Sequence, residues 1–398
     1  MKRAMGYLIG TALAMAFSGA VSAQSIENTP ETVLFSLEGG VRFEDNRDAT
    51  ERGKENMTSL RLTPGVRLTL DDEITKAFLE YRPSLIWRDN ERDDQNDSEV
   101  YHAVEAKVEH DASYLWHVGG LNKFEMTDDP NVSRGGVTVR ENASYWVNQT
   151  KGWSAYNVSE RVQWDVDGSY LLKRYDERPY SDEGDEDRLE ANTALRYKFS
   201  PEYYTFGFLG YDQPSYENDL QGDYQGYLVG VGVGRRINDQ LWGRVSGGYE
   251  WIDYEDGEQD DEAVPYLQII VDFTPAEDLV LTAGIEYSVQ PSDRSYYSSK
   301  EYLRTMLRGV KRLSQSISVD AQFVYANGAY DSGQAVEGAP AAVPDGDDTL
   351  LDWQMGMTFR PPARRYYARL AYEFEDWDSD VRESFQRNTI NAMVGIDF

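Results

Sequence analysis

The chain contains no cysteine and only three histidines. The lack of thiols excludes a disulfide framework and any thiolate metal site. Scarce histidine weighs against hydrolytic chemistry, which needs a nucleophile or activated water beside a positioned base, most often His. Alternation along the sequence puts His102 and His110 on an outward face and only His117 inward, and no Ser–His pairing with an orienting group can be named. No catalytic residue and no enzyme are expected. Apolar runs are short as well. After Gln24 none reaches the length of a transmembrane helix, about eighteen residues or more. That leaves a wall of strands open, because only alternate residues of a membrane strand must face lipid. Positive charge is in deficit: 39 Lys and Arg stand against 70 Asp and Glu, a formal net charge of −31. A chain so acidic is not expected to bind nucleic acid. Nothing in it calls for a cofactor or a metal.

What is present begins at the N-terminus. Lys2 and Arg3 precede the apolar Gly6–Phe17 stretch, and Val21-Ser22-Ala23 offers small residues before Gln24. This is the pattern of a secretory signal peptide, so residues 1–23 are expected to be removed and residues 24–398 to form the fold. No Cys follows the cleavage site, which excludes a lipoprotein anchor. The 28 Tyr and 9 Trp suit the aromatic girdles of a membrane barrel.

From there a period of two recurs. Val33, Phe35, Leu37, Val41 and Phe43 alternate with Ser36, Glu38, Gly40, Arg42 and Glu44, which places the sets on opposite faces of a strand. Leu60, Leu62, Val66, Leu68 and Leu70 alternate with Ser59, Arg61, Thr63, Arg67 and Thr69. Further strands are predicted at about 76–88, 99–110, 114–126, 136–148, 153–174, 188–199, 203–212, 224–236, 241–254, 262–273 and 279–289. Five more follow at about 297–311, 316–328, 349–360, 366–377 and 385–398, making about eighteen in all.

The connections alternate in kind. Short turns such as Asp71–Glu73, Asp111–Ser113, Asn238–Gln240 and Leu313–Gln315 take turns with longer acidic loops. Short turns at one end and long loops at the other are the periplasmic and extracellular ends of an outer-membrane barrel. An open sheet of this size would expose edges that lipid cannot satisfy. The expected fold is therefore all-β, a single closed antiparallel barrel in the outer membrane of a Gram-negative bacterium. Ile390, Ala392, Val394, Ile396 and the terminal Phe398 alternate to the last residue, a terminus that suits the barrel-assembly machinery. The acidic runs Asp182–Asp187 and Glu255–Glu262 lack the spacing of a dedicated calcium loop. They are expected to face lipopolysaccharide at the outer rim. The longest loop, Ala329–Asp348, is the best candidate to fold inward and narrow the pore, with a mobile exterior loop as the equal alternative.

The stretch from about 224 to 328 carries a further pattern. It reads YLVGVGVGRRINDQLWGRVSGGYEWIDYEDG, then PYLQIIVDFTPAEDLVLTAGIEYSVQPSD, then LRGVKRLSQSISVDAQFVYANGAYDSG. Strands that end at short N-D-Q or T-P-A-E-D turns and resume toward Gly-Tyr or Glu-Tyr resemble the putative β-barrel porin 2 family. The resemblance runs on through ARLAYEFEDWDSD. It implies a large outer-membrane barrel of the kind linked to export of extracellular polysaccharide, working with periplasmic export components.

If the apolar set faces lipid, the other set lines the lumen. The candidates are Arg42, Arg61, Arg67, Lys76, Glu80, Arg82, Arg88, Glu105, Lys107, Arg244, Glu250, Glu286, Arg304, Arg308, Asp320, Arg369 and Glu373. Both signs are present, so the acidic excess belongs to the loops. Arg61, Arg67, Arg82 and Arg88 form the densest positive patch, which Glu38, Glu44 and Glu80 could neutralise. A wall of mixed sign suits hydrated polar cargo such as a glycan, and equally cross-strand salt bridges that only stiffen the barrel. Three readings follow: a polysaccharide exporter, a general or oligosaccharide-uptake porin, or a structural or receptor barrel with a blocked lumen. No outward flank stands out as a subunit interface, which favours a monomer.

Overall fold

A computed structural model describes residues 31–46, 51, 54, 56–89, 98–127, 144–176, 185–216, 224–254, 262–291, 299–331, 346–362, 365–381 and 384–398. The proposed signal peptide, most of the acidic-loop residues and most of the Ala329–Asp348 segment lie outside these residues; Asp185–Asp187 and Glu262 lie within them. The strands run β1 (Glu31–Glu44), β2 (Met57–Asp71), β3 (Thr75–Tyr81), β4 (Ser84–Asp89), β5 (Ser98–Tyr101), β6 (Ala103–Ser113) and β7 (Trp116–Thr127). Next come β8 (Tyr145–Asn157), β9 (Val162–Tyr175), β10 (Glu186–Ser200), β11 (Tyr203–Tyr216), β12 (Tyr224–Arg236), β13 (Leu241–Tyr254) and β14 (Glu262–Ala276). The wall finishes with β15 (Leu279–Pro291), β16 (Ser299–Arg312), β17 (Ile317–Asp331), β18 (Gly346–Phe359), β19 (Tyr366–Ser379) and β20 (Phe385–Asp397).

Twenty segments make eighteen wall strands. β3 and β4 both pair with β2 and are halves of one strand, interrupted at Arg82-Pro83, where proline has no N–H to give. β5 and β6 are likewise halves of the next, interrupted at His102. Pairing carries through the break, with Arg82 N donating to Ala103 O at 2.9 Å and Ala103 N to Arg82 O at 3.3 Å. Every neighbour is antiparallel, and β20 pairs back onto β1 from Ser36↔Asp397 to Glu44↔Thr389. The sheet therefore closes and leaves no edge, the condition for strands in lipid.

The closure can be tested directly, because the chain has no native thiol. Val41 and Ala392 are partners across the seam, and directly opposed strand positions have the Cα separation a disulfide needs. The double variant V41C/A392C is expected to cross-link under oxidation. Non-reducing electrophoresis of the heat-denatured chain should then show a compact, faster band; an unchanged linear band would refute the pairing.

Several predicted boundaries are corrected. Residues 149–152, taken as a junction between strands at 136–148 and 153–174, lie inside β8, and the turn falls at 158–161. Residues 136–143 are outside the described set. The reason lies on the outward face. There β8 presents Asn148, Thr150, Gly152 and Ser154, as the register with β7 shows, so the alternation fades. These polar groups are satisfied within the wall: Asn122 Nδ2 donates to Asn148 Oδ1 at 3.0 Å and to Thr150 Oγ1 at 2.8 Å. Trp116 Nε1 donates to Ser154 Oγ at 2.8 Å. Asp111–Ser113, expected as a turn, ends β6, and the chain reverses at Tyr114-Leu115. Ala329–Asp331 and Gly346–Asp348, expected as loop, belong to β17 and β18.

The outward face is an apolar belt. Val33, Phe35, Leu60, Leu195, Leu209, Val231, Leu307 and Val394 are each 50% exposed or more, which is costly in water and natural against acyl chains. Aromatic residues rim it at both ends. Tyr211 and Tyr227 lie 5.4 Å apart toward the loops, as do Tyr249 and Trp251 at 6.1 Å. At the turn end Tyr197 meets Phe199 at 4.8 Å and Phe359 meets Tyr366 at 6.5 Å. Beyond the wall, Lys311 bonds the turn residue Asp278 at 2.8 Å and holds its carboxyl below the usual carboxylate range.

Candidate functional site: the inner wall

Opposite the belt, each strand turns its other face to the barrel interior. Strand register puts every one of the candidate residues named above on that face. Arg42 lies level with Asn391. Arg67 pairs with Glu80, and Lys76 and Glu80 pair in turn with Glu109 and Glu105. Arg61 faces Ile86 and Arg88 faces Ser59. Lys107 opposes Leu121. Farther round, Glu286 pairs with Arg304 and Thr282 with Arg308, while Glu250 pairs with Leu228 and Arg244 with Gly234. Asp320 lies level with Val310, Arg369 with Thr358 and Glu373 with Gln354. Arg82 continues the parity of Glu80 past the break.

Half of the arginine patch is neutralised, with one change of partner from the sequence reading. Arg82 bridges to Glu38 at 2.6 Å, and Tyr367 donates a second bond to the same carboxylate. Arg88 bridges to Glu99 at 2.7 Å, a residue outside the expected set. Arg42 bridges to Glu44 at 3.0 Å. The Arg67 guanidinium lies 4.0 Å over the Phe78 ring. Arg61 is exposed to the lumen and, like Arg304 and Arg308, has no ion pair among the described residues. Elsewhere Arg369 takes Asp320 through two nitrogens, at 2.8 and 2.9 Å. Arg244 donates to Gln268 at 2.6 Å, and Gln268 to Glu286 at 3.0 Å.

Exposure is graded along the axis. Inward side chains near the loop end are excluded from water: Glu44 is 2% exposed, Tyr224 2%, Tyr330 2%, Asp348 2%, Phe385 3% and Arg387 5%. Toward the turns, inward Lys76 and Arg308 are exposed. Inward side chains are thus packed together near the loop end and exposed toward the turn end. At the packed end Lys300 sits among Tyr330, Tyr302 and Trp377, 4.8, 5.8 and 5.5 Å from their rings, and bonds Asp348 at 3.1 Å.

Sequence reading assigned the aromatic residues to the girdles and missed those that face inward. Tyr204, Phe206 and Phe208 on β11 oppose Gly234, Gly232 and Gly230 on β12. Inward aromatics set against three alternate glycines of the next strand were the available signal. Of the histidines, His117 faces inward and bonds Asp111 at 2.8 Å, while outward His102 and His110 bond Tyr81 and Thr75, each at 2.8 Å. Among the described residues no hydroxyl nucleophile is bonded to His117.

Solved structures with a similar fold are outer-membrane barrels. OccAB4 of Acinetobacter baumannii has a TM-score of 0.50 at 11% identity, covering 94% of this chain and 99% of its own. OccK2 (OpdF) of Pseudomonas aeruginosa has a TM-score of 0.48 at 10% identity, covering 93% and 98%. The siderophore receptor PirA of Pseudomonas aeruginosa has 0.47 at 7% identity, covering 94% and 81%. No curated protein matches the sequence. The family model described as putative beta-barrel porin 2 matches residues 32–398, and the chain belongs to that family.

Proposed function

We propose that this protein is a conduit for polar cargo in the outer membrane of a Gram-negative bacterium, and that the cargo is an extracellular polysaccharide leaving the cell. The observation that carries this reading is the inner wall. It bears both signs of charge, some of them paired between strands, with hydrogen-bonding side chains among them. Such a wall favours a hydrated chain over a single class of ion. Inward side chains that are exposed at the turn end and packed at the loop end favour entry from the periplasm, where export components would deliver the chain. Lipopolysaccharide would surround the loop end. The packed end also favours the rival reading of a barrel with a blocked lumen.

Planar-bilayer recording separates the two. The purified protein is expected to carry an ion current smaller than the girth of eighteen strands allows. Exchanging Arg61, Arg304 and Arg308 together for Ser removes three inward positive charges that have no ion pair among the described residues, so selectivity should move toward cations. Absence of any current would overturn the conduit reading. Unchanged selectivity would mean these guanidiniums do not face the ion path.

A further inference from the structure

On the inward face of β11, Tyr204, Phe206 and Phe208 stand in file, with ring centroids 6.1 and 5.8 Å apart. Tyr266 of β14 stands at the end of the file, 6.0 Å from Phe208 and turned edge-on at 69°, across Gly230 and Gly248 of the strands between. The glycines of β12 set how the rings lie. A Cβ on Gly234 would sit 2.2 Å from Tyr204 Cζ; one on Gly232 or Gly230 would sit 2.3 Å from the Cζ of Phe206 or Phe208. Each ring therefore reclines across the neighbouring strand instead of standing into the lumen. One face of each ring rests on the wall, and the rings are half-buried. Interplanar angles of 40° and 35° make neighbouring rings parts of one shallow surface, not a stack that hides its own faces.

Polar groups edge this strip. The Arg196 guanidinium lies 4.9 Å over Tyr204 and is bonded to Asp165 at 3.2 Å. Arg244 lies 6.0 Å from the Phe206 ring and is tied to Gln268. At its inner end the strip opens into a cavity of 380 Å³ that Tyr266 lines with Glu190, Asp212, Glu250, Gln268 and Glu286.

A flat apolar strip bordered by planar hydrogen-bonding groups fits one chemistry well, the pyranose ring, which has an apolar C–H face and hydroxyls around its edge. We propose that Tyr204, Phe206 and Phe208 form a glycan track, each ring taking one sugar of a chain that climbs from the turn end toward the cavity, where Tyr266 stands edge-on. This rests on the conduit reading and gives it a site. Nucleobases also stack on aromatic faces, but their phosphates need a basic groove. Here the carboxylates of the cavity oppose them.

Covering glycine backbone is a structural service that aromatic rings perform in sheets, and leucine could perform it too. Leucine cannot offer a flat face. The experiment is therefore calorimetric titration of the detergent-solubilised full chain with cellohexaose and with maltohexaose. Wild type should bind at least one of them. The F206L/F208L variant should keep the heat-modifiable mobility of the folded barrel and bind about tenfold more weakly, while F206Y/F208Y should bind as wild type does. If the double leucine variant does not fold, Tyr204→Leu alone should weaken binding about threefold. Wild type that binds neither hexasaccharide, or leucine variants that bind unchanged, would overturn the track. So would wild type that takes a single-stranded oligonucleotide in place of the sugars. Ion current with no sugar binding would sink the track alone. Sugar binding without current would sink the conduit and leave the track standing.

Discussion

Replacing Arg387 with Met is expected to destabilise the folded barrel by about 3–5 kcal/mol, the cost of breaking a buried ion pair from one side. Arg387 holds Glu375 through Nε at 2.6 Å and through a second nitrogen at 2.5 Å, and approaches Glu44 at 3.8 Å. The side chains of Arg387, Glu375 and Glu44 are 6%, 9% and 3% exposed, so water cannot replace the lost partner. Glu44 retains Arg42; Glu375 would be left with a buried charge. The double variant R387M/E375M removes both members and should recover most of the loss, since apolar groups of similar size often do as well as a buried pair. Urea titration of the protein in lipid vesicles, followed by the heat-modifiable band, reads both. A single variant as stable as wild type would mean that the network near the loop end does not form.

The second large effect concerns which face meets lipid. Val231, in the middle of β12, is 70% exposed on the apolar belt. The V231R variant would put a guanidinium into hydrocarbon near the midplane and should cost about 2–4 kcal/mol. Asn192 on β10 faces inward and donates to Asp167 at 3.0 Å. The N192R variant adds the same group to the lumen beside a carboxylate and should fall within about 0.5 kcal/mol of wild type, as mild surface changes do. The contrast between the two variants is the test. Equal penalties would show that the belt is not bathed in lipid, and the assignment of inner and outer faces would have to be reversed or abandoned.

The barrel was legible because the membrane imposes a strict period on every strand, and that period survives in the residues from Val33 to Phe43 and from Ile390 to Phe398. It failed where the wall satisfies polar groups within itself. β8 carries Asn148, Thr150 and Ser154 toward the outside, so its alternation vanishes and its boundary was misplaced. Facing direction followed from parity for the inward candidates. Partners did not, because they depend on which side chains reach past a neighbour. Arg82 meets Glu38 two strands away by crossing Gly65, where a Cβ would lie 3.4 Å from Arg82 Cγ. Arg88 finds Glu99 through a register that no local pattern encodes. The inward aromatic file was hidden because aromatic content in a barrel is expected at the girdles. Only the pairing of β11 with the glycines of β12 shows that these rings lie elsewhere.

The seam between β1 and β20 also sets an order of events. Its partners, from Ser36 with Asp397 to Glu44 with Thr389, come from the two ends of the chain. Closing so long a loop is entropically the last contact to be gained. Until β20 arrives there is no circumference, only a curved ribbon with two unsatisfied margins. Loss of that one strand would therefore not yield a slightly narrower pore. It would yield a ribbon that lipid cannot accommodate, with both margins free to recruit strands from other chains.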